Sequence, residues 1–308
     1  VTDLVVGVSN DAVNFLNSAI GSKAISFKTI MIIASVGIAF GALSSSGMME
    51  VARKGIFVPG EFYFDEVMII FMAVMITDIL LLDFFNSIGL PTSTTVSIVF
   101  ELLGAAVCMS IIKINENDSE TLLDLGKYIA SDTAIDIIQG ILLSVVIAFV
   151  IGGVVQFFSR LLLTFNYKGR PPFLAAIFGG LSLTSLFYFI IFKGLKGADL
   201  GVVMEFIGNV NVYTFIGVAL LFWTIFSFIY VYDFKWDIYK LIIILGTFGL
   251  AMAFAGNDLV NFIGVPIGAY QAWEYAEGTG LPANEIGMSF LSGQLPSNKW
   301  LLVVAGLI

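Results

Sequence analysis

The sequence predicts an all-α fold, a polytopic membrane helical bundle, and three observations carry that prediction. Hydrophobic residues make up 58% of the chain and charged residues 12%, with a mean hydropathy of +0.99, against about 25% charged residues in soluble domains. Several apolar runs reach the roughly 20 residues that a helix needs to cross a bilayer. Hydrocarbon forces each crossing segment to satisfy its own backbone groups, so a helical bundle follows. Third, the polar run Asn10-Asp11-Ala12-Val13-Asn14-Phe15 returns as Asn257-Asp258-Leu259-Val260-Asn261-Phe262, each copy inside an otherwise apolar stretch.

Taken in order, the apolar runs predict spans at 1–21, 28–46, 66–86, 92–112, 133–158, 173–193, 212–232, 239–262 and 299–308. The first carries an acid and several amides at its middle and lacks the basic leader and cleavage site of a signal peptide, so it reads as the tail of a membrane helix. The second contains GIAFGALSSSG and the fifth FVIGGVV, small-residue runs suited to close helix packing. Between the third and fourth lies almost no loop, only the run around Gly89-Leu90-Pro91-Thr92-Ser93-Thr94-Thr95. Residues 114–132 hold several acids and read as a solvated loop. The loop after the fifth span bears Arg160, Lys168 and Arg170, which places it on the cytoplasmic side by the positive-inside rule. Residues 193–214 are too polar and Gly-broken for a plain span and read as re-entrant or interfacial. Tyr and Trp in SFIYVYDFKWDIYK, between the seventh and eighth spans, form an interfacial belt. The ninth run is short, and with Val1 at the other end it makes the chain read as a fragment.

Composition narrows the function classes. Net charge is −9, with 14 Lys and Arg spread thinly, so there is no nucleic-acid footprint. The chain has no His and one Cys, Cys108 in an apolar run, which leaves out a histidine zinc site, a histidine proton relay and an internal disulfide. No GxxxxGK(S/T) occurs. An enzyme such as a membrane hydrolase needs a nucleophile with a base, or a metal site, and neither is visible.

The chemistry lies in the polar breaks. On a helix Asn10, Asn14 and Asn17 fall at i, i+4 and i+7, with Asp11 and Ser18 on the adjoining strip. An intramembrane carboxylate costs several kcal/mol on insertion scales, so Asp11 is expected to face a bundle interior and hold a cation or a proton. The second copy repeats Asn257, Asp258 and Asn261 but has Gly264 and Val265 where the first has Asn17 and Ser18, so the copies are related and not equivalent. A single motif of this kind reads equally as a buried polar knot of interhelical hydrogen bonds, worth about 1 kcal/mol or less each. Duplicated polar breaks instead mark the binding site of a transporter built from repeats. In GLPTSTT, Pro91 is expected early in the first turn of a helix whose N–H groups and positive dipole end bind anions. The hydroxyls of Ser93, Thr94 and Thr95 add donors to an anion and oxygen ligands to Na⁺. Acids, amides and hydroxyls without basic residues suit an oxyanion that arrives with cations, Asp11 and Asp258 neutralised by Na⁺.

SNDAVN, GNDLVN and GLPTSTT resemble the signature motifs of the inorganic phosphate transporter family of the PiT type, in order and over nearly the whole chain. The resemblance implies two inverted-topology repeats with broken or re-entrant helices meeting at mid-membrane, and phosphate uptake driven by Na⁺ or H⁺ through alternating access. It divides the chain into a first repeat at 1–112, a connecting polar loop with intervening membrane helices at 113–238, and the start of a second repeat at 239–308. It implies phosphate binding by Asn10, Asp11, Asn14, Ser93, Thr94, Thr95, Asn257, Asp258 and Asn261, and Na⁺ binding by Asp11, Asn14, Thr94, Thr95, Asp258 and Asn261. The implied setting is the plasma (inner) membrane, with no cofactor beyond Na⁺ as coupling ion, and a homodimer comes into view by resemblance alone. Three departures qualify it. Val96 stands where many members have His, Ser9 replaces a usual Ala or Gly, and the only run resembling a second LPxSTT is Leu295-Pro296-Ser297-Asn298. This third departure reads as truncation and predicts that the fragment alone does not transport.

Among the remaining acids, Glu101 shares a helical face with Thr94 and, like Asp78, is a candidate coupling or proton site; Asp83 is near enough to a helix end to be interfacial. The alternatives are a permease for sulfate or another oxyanion and an anion channel. A channel wants rings of pore-lining groups in an oligomer, whereas these motifs are duplicated within one chain. Monoprotonated phosphate donates a hydrogen bond to a carboxylate and sulfate does not, which favours phosphate.

Overall fold

The computed structural model describes residues 1–44, 56–194, 205, 208–292 and 299–307. Among them the secondary structure is helical, with isolated bridges and no strand. In chain order the helices are α1 (Thr2–Ser22), α2 (Phe27–Ser44), α3 (Phe64–Ile88), α4 (Thr94–Glu116), the short α5 (Leu125–Tyr128), α6 (Ser131–Leu163), α7 (Pro172–Phe189), α8 (Val212–Tyr232), α9 (Ile238–Asn257), α10 (Leu259–Thr279) and α11 (Lys299–Leu307). Among the described residues six segments are long and apolar enough to cross a bilayer, α9 and α10 counting as one across the break between them. The chain is a multi-pass integral membrane protein. The sequence expectation for 193–214 falls largely on residues outside the description, as does Leu295-Pro296-Ser297-Asn298. Of the former stretch, Asn211 is described as the N-cap of α8, its Oδ1 accepting from the N–H of Tyr213 at 2.9 Å and of Thr214 at 3.3 Å.

Two boundaries position the site. α3 ends in a Schellman motif: Gly89 takes the left-handed conformation at φ 70°, its N–H bonds to the Asn86 carbonyl at 3.1 Å, and that of Leu90 to the Phe85 carbonyl at 3.0 Å. Gly89 has no Cβ to clash there. The next helix begins at Thr94, with Ser93 as N-cap and its Oγ accepting from the Val96 N–H at 3.4 Å. Pro91 therefore stands two residues before the cap and not in the first turn: it follows the Schellman motif, and the hydroxyl of Ser93 supplies the cap. The second boundary is at Asp258, where α9 stops and α10 starts. The expected span 239–262 is thus two helices, and α10 runs on to Thr279 with Pro266 inside it.

Contacts divide the chain into two compact units. The first comprises Val1–Val13, Ser46–Ile141 and Asn257–Ile308. In it α3 packs on α4 and α10, with Val67, Ile70 and Phe71 of α3 buried against Ile98 and Leu102 of α4 and Ala272 of α10. Where α1 passes α10, a Cβ on Gly7 would sit 2.0 Å from the Phe262 ring, so only glycine permits this approach. A cap joins one end of these helices. Val58 N–H donates to the Tyr128 carbonyl at 2.8 Å, and Met288 N–H to the Phe62 carbonyl at 3.1 Å. Tyr128 and Ile129 are buried in it, so residues 114–132 are not a plain solvated loop. Their two apolar side chains complete a core with Phe57, Phe62 and Met288. Glu120 lies outside, bonded to Lys127 at 2.9 Å and to the Tyr128 hydroxyl at 2.7 Å, and these partners hold its carboxyl below its ordinary range.

The second unit comprises Asn14–Ser45 and Leu142–Gly256. Its helices approach closely through small residues. A Cβ on Gly41 of α2 would meet the Met252 carbonyl of α9 at 2.2 Å, and one on Gly180 of α7 would meet Thr224 Oγ1 of α8 at 2.3 Å. A Cβ added at Gly152 or Gly153 of α6 would meet nothing within 4 Å, so the expectation of close packing holds for the α2 glycines and not for FVIGGVV. That part of α6 exposes its apolar side chains all round, as a lipid-facing helix does.

Candidate functional site

The residues singled out by the sequence converge, within the first unit, on the N-terminus of α4. Asn10 of α1 clamps the connection that leads into it. Its Nδ2 donates to Asn86 Oδ1 at 2.9 Å and to the Leu90 carbonyl at 3.1 Å, while its Oδ1 accepts from the Thr92 N–H at 2.8 Å. Asn86 in turn donates to the Val6 carbonyl at 2.9 Å. The buried amide of Asn10 thus fixes both ends of the Leu90–Thr92 turn to α1, which is why the Schellman end of α3 and the capped start of α4 sit where they do.

The next two threonines each meet one motif carboxylate. Thr94 Oγ1 donates to Asp11 Oδ2 at 3.0 Å, and Thr95 Oγ1 donates to Asp258 Oδ1 at 3.2 Å. Asn261 Nδ2, one turn along α10, donates to the same Thr95 oxygen at 2.9 Å. Thr94 and Asp11 are each 2% exposed, and Asp258 and Asn261 are half-buried. The two carboxylates lie within electrostatic range of each other. The repeat motifs of α1 and of the α9–α10 break therefore converge on adjacent residues of one helix start.

The chemistry of this donor set is specific. Each threonine hydroxyl spends its single proton on a carboxylate; the Thr95 oxygen also accepts from Asn261, and each oxygen keeps a lone pair for another partner. Carboxylate and hydroxyl oxygens with an amide beside them form an all-oxygen environment of the kind that hard cations take. The first N–H groups of α4 have no intrahelical acceptor, and with the dipole they favour an anion at this end. No described Lys or Arg forms an ion pair with either motif acid. Nor do the described residues contain a cluster of three or more His, Cys, Asp or Glu arranged for a metal ion. Mixed oxygen donors of this kind suit small hard cations.

Other sequence-singled residues stand elsewhere. Ser93 is exposed and serves as the cap. Asn14, Asn17 and Ser18 belong to the second unit and are exposed, Ser18 lining an apolar cavity of about 550 Å³ there. Asn257 ends α9, and its side chain lies outside the description. Asp83 is exposed, whereas Asp78 is completely buried. Sequence reasoning missed Asn86, whose only signal was its place one turn before Gly89. It also missed Asp3, which falls seven residues before Asn10 and so on the same helical face.

Comparison with known proteins bears on this geometry. The chain is similar in fold to a solved protein described as the sodium-dependent phosphate transporter, with a TM-score of 0.63, 20% sequence identity, and coverage of 99% of this chain and 70% of that one. No curated protein matches. The sequence profile of the phosphate transporter family matches residues 7–308, a range that contains both Asn-Asp motifs and the GLPTSTT run. The chain belongs to the phosphate transporter family.

Proposed function

We propose that the protein is a symporter that carries inorganic phosphate across the plasma membrane with Na⁺ by alternating access. The observation that carries this reading is the paired clamp, Asp11 on Thr94 and Asp258 on Thr95. Two acids from two repeat motifs, joined to adjacent hydroxyls at a helix start, combine oxygen ligands for Na⁺ with N–H groups for an oxyanion. Asp11, Thr94, Thr95, Asp258 and Asn261 are the proposed Na⁺ ligands. Asn10, Ser93 and Asn257 with the same motif residues are the proposed phosphate contacts, Asn10 acting chiefly by holding the turn before α4. Na⁺ bound at the two carboxylates offsets their charge and so admits an anion beside them, and this couples the two fluxes: neither the acids alone nor phosphate alone is a low-energy occupant of a membrane interior. The similarity to a sodium-dependent phosphate transporter supports Na⁺ as the driving ion. Two inverted repeats and a homodimer belong to the same proposal.

The test is uptake of labelled phosphate into proteoliposomes of the full-length protein under an imposed Na⁺ gradient, with sulfate as competitor. Accumulation above equilibrium that collapses with the gradient, and that sulfate fails to inhibit, is expected. Phosphate flux that merely equilibrates, indifferent to Na⁺, would refute symport and favour a channel.

A further inference from the structure

A second group of buried acids lies in the first unit, apart from the paired clamp. Asp3 of α1 and Asp78 of α3 are 2% and 0% exposed, and the carboxylate of Glu101 of α4 is enclosed as well. No donor from outside the group reaches any of their six carboxylate oxygens. The contacts they make are with one another: Asp78 is within hydrogen-bonding reach of both Asp3 and Glu101. The other charged group in electrostatic range is Asp11, also an acid. No described Lys or Arg pairs with any member.

Three carboxylates cannot all be ionised at such separation in a place that water does not reach. Two acids in hydrogen-bonding contact without a cation share a proton, because one oxygen must donate for the other to accept. A metal ion is the competing occupant, yet these acids do not have the arrangement of a metal cluster. The surroundings give the group two outlets. Glu101 lines a cavity of about 510 Å³ together with Thr77, Thr92 and Ser97, and Asp3 lines another of about 480 Å³ with Met75 and Phe262. Asp78, fully enclosed, bridges the two acids that border these spaces.

We propose that Asp3, Asp78 and Glu101 form a proton-binding site, separate from the Asn-Asp motifs, that takes up and releases a proton between the two cavities. The proton passes from the carboxyl of one acid to the carboxylate of the next, so Asp78 receives from one neighbour as it gives to the other, and charge is conserved within the group. The site gives the protein a response to pH of its own. The transport consequence rests on the symport reading above; proton binding itself does not.

Two measurements separate these. Infrared difference spectra of the purified full-length protein, titrated through neutral pH, are expected to show a carboxylic-acid carbonyl band that is lost in Asp78→Asn and weakened in Glu101→Gln, while Asp11→Asn retains it. Uptake in proteoliposomes is expected to lose in both Asp78→Asn and Glu101→Gln the part of its pH dependence that exceeds the titration of phosphate itself, with the Na⁺ dependence kept. A band unchanged in both variants, or a wild-type protein with no protonated-carboxyl band, would overturn the proton site. Spectra as expected in a protein that transports no phosphate would uphold the proton site and sink the symport reading instead. Glu101→Gln guards against a failure of Asp78→Asn to fold, since Glu101 is less enclosed.

Discussion

Replacing Thr94 by Val tests the clamp with little change of shape. The substitution keeps the branched side chain in a site that is 2% exposed and removes the hydroxyl that donates to Asp11 at 3.0 Å. A hydrogen bond to a charged group contributes about 1.5–3 kcal/mol. Because Asp11 keeps further interactions, the loss of folding stability is expected at the lower end of that range. The loss in Na⁺ binding is expected to be larger, since the variant removes an oxygen ligand and also releases the carboxylate beside it. At 1.36 kcal/mol per tenfold change, the half-saturating Na⁺ concentration rises about 20- to 100-fold. Thr94→Ser retains the oxygen and is expected to stay near wild type. The assay is phosphate uptake in proteoliposomes over a Na⁺ titration, with thermal unfolding in detergent as the folding control. Wild-type Na⁺ dependence in a well-folded Thr94→Val variant would refute the reasoning.

Further predictions rest on other contacts. Asn10→Ala removes three hydrogen bonds that hold the turn before α4; at about 0.5–1.5 kcal/mol each it lowers the melting temperature in detergent, and an unchanged melt would show that the clamp is dispensable. Gly7→Ala places a Cβ 2.0 Å from the Phe262 ring and destabilises by roughly 1–3 kcal/mol. Phe262→Leu in the same background should recover part of that loss, and failure to do so would locate the strain elsewhere. Glu120 has its carboxyl held below the ordinary 4.5 by its bonds to Lys127 and Tyr128, so its contribution is present above 4.5 and lost as pH falls through the lowered folded value. Glu120→Gln should therefore flatten the acid side of a stability profile, and an unaltered profile would count against the pairing.

Much of this architecture was legible because apolar runs and a repeated polar motif are local signals. The spans at 66–86, 92–112 and 212–232 correspond closely to α3, α4 and α8, since composition alone decides what crosses a bilayer. The pairing of Asp11 with Thr94 and of Asp258 with Thr95 was legible only as membership of motifs. Which hydroxyl meets which acid depends on the approach of α1 and α10 to α4, and that approach is set by contacts such as Gly7 against Phe262. The apolar run 239–262 reads as one span across Asp258, because Gly256, Asn257 and Asp258 are a short polar interruption between residues apolar enough to continue a helix. Pro266, a conventional stop signal, is accommodated within α10. Tyr128 and Ile129 were hidden by the acids around them: two apolar residues in a polar stretch give no periodicity, and only the fold supplies the core they enter. Asp3 had the most instructive signal, an acid on the face of Asn10, legible as a face but not as a contact with Asp78 on another helix.

In the proposed mechanism the two motif acids hold Na⁺ jointly with the threonines at the start of α4. Equilibrium binding of radioactive Na⁺ to the purified full-length protein, with and without phosphate, tests it most directly. Phosphate is expected to raise Na⁺ affinity in the wild type, Asp11→Asn and Asp258→Asn each to lose bound Na⁺, and both to lose the enhancement by phosphate. Na⁺ binding and phosphate enhancement at wild-type levels in both variants, folded and monodisperse, would contradict the account.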